Sequence, residues 1–215
     1  MEFPLLETLS PAEQQAVLAT ARRRRFERRE VVFHEGDPAD TIHLVRSGRF
    51  AVFSGTSLGD TAMLTVLGPG EFFGELGLVQ REAVRTATVS ALEDAETRSI
   101  HRTDFARLQR EHPAVANVLI DALAVQVARL SRHLVEALYV PADRRLLNRL
   151  GELAAIYRNG AGATTIPLTQ EDLAELAGTS RATVNRVLRD QERRGVIELR
   201  RGRTVVLDAA RLPSA

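Results

Sequence analysis

The spacing of apolar positions changes character several times along the chain. Residues 5–28 read as helical, with Pro11 just inside the start behind Ser10 as a cap. The four like charges Arg22 to Arg25 read as a solvated face near the end of that helix. From Glu30 to His101 the period shortens to β-rich runs: Val31–Phe33, Ile42–Val45, Phe50–Phe53, Met63–Leu67, Thr86–Ser90 and Thr97–Ile100. Turn chemistry separates them at Glu35-Gly36-Asp37-Pro38, Ser47-Gly48 and Gly68-Pro69-Gly70. Short strands at near-regular spacing predict a β-sandwich or barrel.

A helical period then returns. Thr103 is placed to cap a short helix over 104–111, and His112-Pro113 to open a long one reaching about Leu138. Along it Ala116, Ile120, Leu123, Val127, Leu130, Leu134 and Ala137 recur at alternating four- and three-residue steps. That spacing is an a/d seam. Gln126, Arg129, Arg132 and Glu136 flank it, which favours a parallel dimer seam over packing on the chain's own barrel. Val140-Pro141-Ala142-Asp143 breaks the helix and reads as an interdomain hinge. Residues 144–157 form another amphipathic helix and 158–163 a glycine-containing loop.

Residues 168–189 carry two helices joined at Gly178, whose missing Cβ suits the positive φ of a tight turn. Thr169 and Asp172 have capping-box spacing and Ser180 caps the second helix. Val184, Val187 and Leu188 face its core, while Arg181, Ala182, Asn185, Arg186 and Arg189 share the other side. This is a helix-turn-helix pattern with a basic outer face. Val196–Leu199 and Thr204–Leu207 flank Arg200-Arg201-Gly202-Arg203, a hairpin whose arginines can reach phosphates.

The overall charge of +1 conceals an asymmetry. Residues 1–140 hold 16 Arg and 19 acids, net −3; residues 141–215 hold 13 Arg and 9 acids, net +4. The basic part coincides with the helix-turn-helix and points to an anionic partner there. All 29 basic residues are arginine, which suits phosphate but is also what a GC-rich genome would produce. With no cysteine, disulfides, thiol nucleophiles and cysteine-ligated clusters are excluded. His34, His43, His101 and His112 lack metal-ligand spacing, so no metal is expected. No apolar run approaches a membrane span, and Met1–Ser10 does not read as a signal peptide, so a cytoplasmic location with no membrane partner is expected.

The chemistry concentrates between Glu71 and Ala91. Gly74-Glu75-Leu76-Gly77 forms a small-residue turn, followed after a short loop by Arg85-Thr86-Ala87-Thr88-Val89. Glycines let backbone N–H groups approach an anion, Arg85 offers a planar fork for phosphate, and Thr86 adds a hydroxyl and an N–H. Glu75 can accept hydrogen bonds from a sugar hydroxyl. An ordinary hairpin with Arg85 paired to a surface acid would also use such glycines, but the joint pattern describes a nucleotide pocket. A hydrolase would need a metal cluster or an activated nucleophile beside the phosphate; the pocket turn offers only Glu75, with no His, Cys or Asp near it in sequence, so no enzymatic activity is expected.

F-G-E-L-G-L-V followed by R-T-A-T-V resembles the phosphate-binding cassette of cyclic-nucleotide-binding domains, and over nearly its full length the chain resembles the Crp/Fnr family of bacterial transcription regulators. The resemblance implies an α+β architecture: an N-terminal cyclic-nucleotide-binding β jelly roll over 1–112, a dimerisation helix over 113–140 and a winged helix-turn-helix over 141–215. It implies a homodimer that binds palindromic double-stranded DNA under control of a cyclic nucleotide, cAMP first, with cGMP or no effector as alternatives, and RNA polymerase as a partner. Ligand contacts fall on Gly74, Glu75, Leu76, Arg85, Thr86, Leu130 and Ser131, and DNA contacts on Thr169, Gln170, Ser180, Arg181, Ala182, Thr183, Asn185, Arg186, Arg189, Arg201 and Arg203. Two positions depart from the family's pattern. Leu130-Ser131 stands where a Thr-Ser-like pair usually meets the purine, and Ala182 where a base-reading glutamate is usual. A different effector, or a dimer already partly competent for DNA, is therefore also implied.

Overall fold

The Arg22–Arg25 run does not extend the first helix. In the computed structural model, which describes residues 3–55, 61–79, 84–160 and 162–212, a short 3₁₀ turn (Pro4–Leu6) precedes α1 (Pro11–Thr20). That helix stops where Ala21 takes extended dihedrals (φ −72°, ψ 132°), and the arginines form β1 (Arg22–Phe26). Like charges are tolerated there because β1 pairs antiparallel with β8 (Ala95–His101), which sets Arg25 opposite Glu96. The Glu96 carboxylate pairs with Arg23 and, at 2.8 Å, with Arg46 Nη1. The Arg23 hydrogen bond foremost, then that of Arg46, holds the Glu96 carboxyl at about 2. A distant acid decides the conformation of the run, and local periodicity does not contain it.

The other strands are β2 (Val31–Phe33), β3 (Thr41–Ser47), β4 (Phe50–Gly55), β5 (Thr61–Leu67), β6 (Phe72–Phe73) and β7 (Thr88–Ala91). They form two four-stranded sheets, β1-β8-β3-β6 and β2-β7-β4-β5, the expected sandwich. The last strands run 88–91 and 95–101 rather than the 86–90 and 97–100 expected, and β1 and β6 were not expected as strands.

Alternation along β3 divides two cores. Val45 packs between the sheets with Phe26, Phe50, Leu67, Phe73 and Val89. Ile42 and Leu44 face the opposite way, with Phe72 and Ile100, onto the N-terminal segment, α1, α3 (Arg102–Glu111) and the start of α4 (Val115–Tyr139). Each fully buried side chain of this size stabilises the fold by roughly 1.5–3 kcal/mol. The cap of α3 is His101, whose side chain accepts from Thr103 N at 3.2 Å, not Thr103 itself. α4 begins at Val115, two residues beyond Pro113.

Within α4, Val115, Val118 and Ala122 are buried, whereas Ile120, Val127, Leu130 and Leu134 are each at least 60% exposed. Ala116 and Leu123, also on the expected seam, are half-buried. The chain divides into two compact units. The first takes in residues up to 55 and 66–130; of the other described residues, 61–65 and those from Ser131 onward fall in the second. α4 contributes to both.

In the second unit, α5 (Ala142–Ile156) packs on α6 (Gln170–Ala177) and α7 (Arg181–Arg193), with a three-stranded sheet ordered β10 (Ile197–Arg200), β11 (Arg203–Val206), β9 (Thr164–Ile166). Leu146, Leu150, Leu173, Val184 and Leu188 are fully buried. The hairpin strands lie one residue from their expected ends, leaving Arg201-Gly202 as the turn. β9 was not expected; of the loop assigned to 158–163, Ala161 lies outside the described residues.

Candidate functional site

Arg85 is buried, at 5% exposure. Its backbone is tied to the turn after β2: Arg85 N donates to Asp37 O and Arg85 O accepts from Gly36 N, each at 2.8 Å. Its guanidinium lies over the Phe33 ring, Cζ 4.0 Å from the centroid. Nη1 donates to Thr41 O at 2.8 Å and to Gly74 O at 3.4 Å; Nη2 donates to Thr41 Oγ1 at 2.6 Å. Asp40 Oδ1 is 3.9 Å from Nη2, an electrostatic neighbour. Nε is buried and has no hydrogen-bond partner among the described residues. Such an orphaned donor is costly unless something accepts from it.

Gly74 has φ +84°, and a Cβ there would lie 2.6 Å from Arg85 Nη1 and 2.7 Å from Thr41 O. The next residues form not an open turn but a short helix, α2 (Leu76–Val79). Glu75 is buried and its carboxyl is pushed up, burial being the main cause, opposed by its own backbone N–H and the charges of Arg129 and Arg85. Gly74, Glu75 and Arg85 are thus brought together, while Leu76 and Thr86 are exposed nearby. Residues 80–83, the loop inside the cassette, lie outside the described residues. A cleft at Arg85 is walled by Arg22, Arg24, Phe33, Thr41 and His43; Glu75, Leu76 and Thr86 are not among its walls.

Leu130 and Ser131 are exposed. The neighbouring Arg129 makes the contact to the jelly roll, its Nη2 2.7 Å from Glu71 Oε1. Arg129 was read only as a polar flank of the seam. Arg102 was missed altogether: its Nε donates to Gly77 O at 2.7 Å and its Nη2 to Ala39 O, clamping the loop before β3 onto α2. Neither carried a sequence signal beyond being an arginine outside the cassette.

In the second unit the capping box forms: Thr169 N donates to Asp172 Oδ2 at 2.7 Å and Asp172 N to Thr169 Oγ1 at 3.1 Å. Gly178 adopts φ +58°, and Ser180 accepts from Thr183 N. Arg181, Ala182, Asn185, Arg186 and Arg189 are exposed along one side of α7. A cleft between that helix and the hairpin is walled by Thr169, Gln170, Arg181, Asn185, Arg201 and Arg203. Asn185 Nδ2 donates to Gln170 Oε1 at 3.2 Å, linking the two helices. Arg186 is not free: Nη2 lies 2.5 Å from Asp143 Oδ1 on α5. Arg145, with no motif to mark it, donates to Ala177 O and Gly178 O at the end of α6 and to Val140 O just past the end of α4. The surface offers donors spaced along a helix and a loop, as anionic polymers require.

Among the described residues no group of three or more His, Asp or Glu is placed to hold a metal, and no helix is long and apolar enough to cross a membrane.

Comparison with known proteins follows the same division. A cyclic nucleotide-binding domain model matches residues 23–112, and a Crp-like helix-turn-helix domain model matches residues 144–214. The chain is 35% identical over 209 residues to the cyclic AMP receptor protein of Thermus thermophilus, covering 97% of this chain and 94% of that one. It is 30% identical over 190 residues to a CRP-like cAMP-activated global transcriptional regulator of Mycobacterium tuberculosis, covering 87% and 84%. Among solved structures, the Thermus thermophilus catabolite activator protein matches at 34% identity and TM-score 0.58, covering 96% of this chain and 95% of that one. The c-di-GMP responsive global regulator CLP of Xanthomonas campestris matches at 25% and 0.76, covering 93% and 99%. A two-sheet sandwich with a nucleotide cassette, a long helix and a helix-turn-helix in this order, together with these relatives, shows that the chain belongs to the Crp/Fnr family of transcription regulators.

Proposed function

We propose that this chain acts as a homodimer whose binding to a palindromic operator is modulated by a cyclic nucleotide, cAMP first, held at Gly74, Glu75, Leu76, Arg85 and Thr86. The observation that carries the reading is the buried Arg85 guanidinium beside Gly74, its Nε without a partner among the described residues. A phosphate oxygen supplies the acceptor that the described residues do not. Glu75, desolvated and adjacent, is the acceptor for a ribose hydroxyl. The exposed stripe Ile120, Val127, Leu130 and Leu134 is the face for the second copy, since a helix seam of that size is covered in a coiled coil.

A parallel dimer of this kind presents two α7 helices about 34 Å apart, so the site is an inverted repeat. Arg181 and Arg186 read guanine in the major groove, Ser180, Thr183, Asn185 and Arg189 support them, and Thr169, Gln170, Arg201 and Arg203 reach backbone phosphates. RNA polymerase is the expected protein partner.

The test is titration calorimetry with cAMP and cGMP on wild type and a folded Arg85→Ala variant. Truncation of a sheltered charge-assisted contact should weaken cAMP binding about 30-fold or more; equal affinity in both proteins removes Arg85 from the site. A second reading, a different effector on the same scaffold, is favoured by Leu130, whose hydrocarbon cannot hydrogen-bond a purine. The solved relative of Xanthomonas campestris is described as c-di-GMP responsive, so c-di-GMP belongs in the same titration.

A further inference from the structure

Arg85 carries five N–H donors in a fixed plane. Thr41 occupies the edge formed by the two terminal nitrogens, its carbonyl accepting from Nη1 and its hydroxyl from Nη2. The second Nη1 hydrogen has Gly74 O. What remains is one side of the fork: the Nε hydrogen, which has no partner among the described residues, and the second Nη2 hydrogen, whose nearest acid among them, Asp40, is 3.9 Å away. These two donors are parallel, the arrangement that grips two oxygens of one phosphate.

The Thr41 hydroxyl is itself oriented. Arginine can only donate, so Thr41 Oγ1 accepts from it and has its own hydrogen to give. Its neighbour is His43 Nε2 at 3.4 Å, and His43 Nδ1 is 3.1 Å from Thr97 Oγ1. His43 is buried, its ring stacked on Phe73 with centroids 4.9 Å apart and planes 5° from parallel. The three contacts run in one direction when Nε2 is bare and Nδ1 carries the hydrogen: Arg85 donates to Thr41, Thr41 to His43, and His43 to Thr97.

We propose that Thr41 is a positioning residue for the nucleotide phosphate, with the buried neutral His43 behind it, which together fix the Arg85 guanidinium so that its Nε–Nη2 edge meets the anion. Resting on the nucleotide reading of this site, it adds two residues outside the cassette and the edge of the arginine that binds.

The experiment uses the full-length protein and cAMP as probe. Thr41→Val keeps shape and backbone carbonyl and removes the hydroxyl; it should weaken binding about tenfold, and Thr41→Ser should restore it to within about twofold. In an Arg85→Ala background Thr41→Val should change nothing further, because its effect passes through the arginine. Equal losses in both backgrounds, or wild-type affinity in Thr41→Val, overturn the proposal. A second measurement needs no ligand. Nitrogen-15 NMR should show His43 with a hydrogen on Nδ1 and none on Nε2, and slow rotation of the Arg85 guanidinium in wild type that quickens in Thr41→Val. The opposite tautomer, or rotation unaffected by the substitution, refutes the relay. Failure of wild type to bind any cyclic nucleotide would remove the functional reading, while the NMR result still decides the relay.

Discussion

A Cβ at Gly74 would sit 2.6 Å from Arg85 Nη1 and 2.7 Å from the Thr41 carbonyl, so the absence of a side chain at one cassette position makes room for the charge of another. The backbone at Gly74 also has φ +84°. Gly74→Ala should therefore cost about 1–2 kcal/mol in stability from the left-handed backbone alone, and should in addition displace the guanidinium, lowering cAMP affinity by about tenfold or more. Gly160 is a matched control: φ is +83° and none of the described residues lies within 4 Å of a Cβ there. Gly160→Ala should lose stability by a similar amount and bind nucleotide as wild type does. Thermal melts and calorimetry on both variants check this; unchanged nucleotide binding by Gly74→Ala would contradict it.

The Arg186–Asp143 pair, at 2.5 Å, places the proposed base-reading arginine against the first turn of α5. Both groups are about half-exposed or more, so solvent screens the pair and it can be exchanged for another anion. DNA has to compete with Asp143 for this arginine. Asp143→Asn should strengthen operator binding by up to about fivefold at low salt, with the gain shrinking as salt rises. Weaker binding by Asp143→Asn at every salt concentration would show that the pair aids rather than opposes the DNA-bound arrangement.

His43 makes stability depend on pH. Burial chiefly, then the charges of Arg85 and Arg24 with Asp40 opposing, lower it from 6.5 to about 3; the other faces against it are the Phe26, Phe33 and Phe73 rings. Below pH 6.5 the unfolded chain takes up a proton that the folded chain refuses. Stability therefore falls as pH drops from 6.5 toward 3, by up to about 1.4 kcal/mol per pH unit, and His43 has no such effect above 6.5. Glu96, held at about 2, acts in a lower window: its contribution is present above 4.5 and is lost as pH falls toward 2. Between pH 5 and 6.5 the slope of unfolding free energy by urea titration should flatten in His43→Gln. An identical slope in both proteins would show that His43 takes up its proton equally in the folded and unfolded chain.

Much of this was legible in the sequence, and what was not has a common cause. Ser10, Thr169 and Ser180 were readable as caps because capping uses partners three residues away, and Gly178 because a tight turn leaves few alternatives. The α4 stripe followed from a period carried over many residues. Arg22–Arg25 was misread because its partner, Glu96, is about 70 positions distant. Thr41 went unnoticed, and His43 was weighed only as a metal ligand, for the same reason: they reach Arg85 through β3, far from the cassette, and a Thr and a His in a strand look like ordinary core and surface alternation. Arg102 and Arg145 bind main-chain carbonyls, an interaction that leaves no mark in residue type. Local chemistry was readable; positioning by distant strands was not.

The central claim is that nucleotide captured at Arg85 controls DNA binding by α7. Fluorescence anisotropy of a labelled operator, taken from selection on random DNA, tests it directly, with and without saturating cAMP, for wild type and Arg85→Ala. The account predicts an inverted-repeat operator bound more tightly by wild type when cAMP is present. With Leu130 in place of a hydroxyl on the long helix, the gain is expected to be about tenfold or less, and in Arg85→Ala the two curves should coincide. Wild-type curves that coincide with and without cAMP, or an Arg85→Ala response equal to that of wild type, would contradict it.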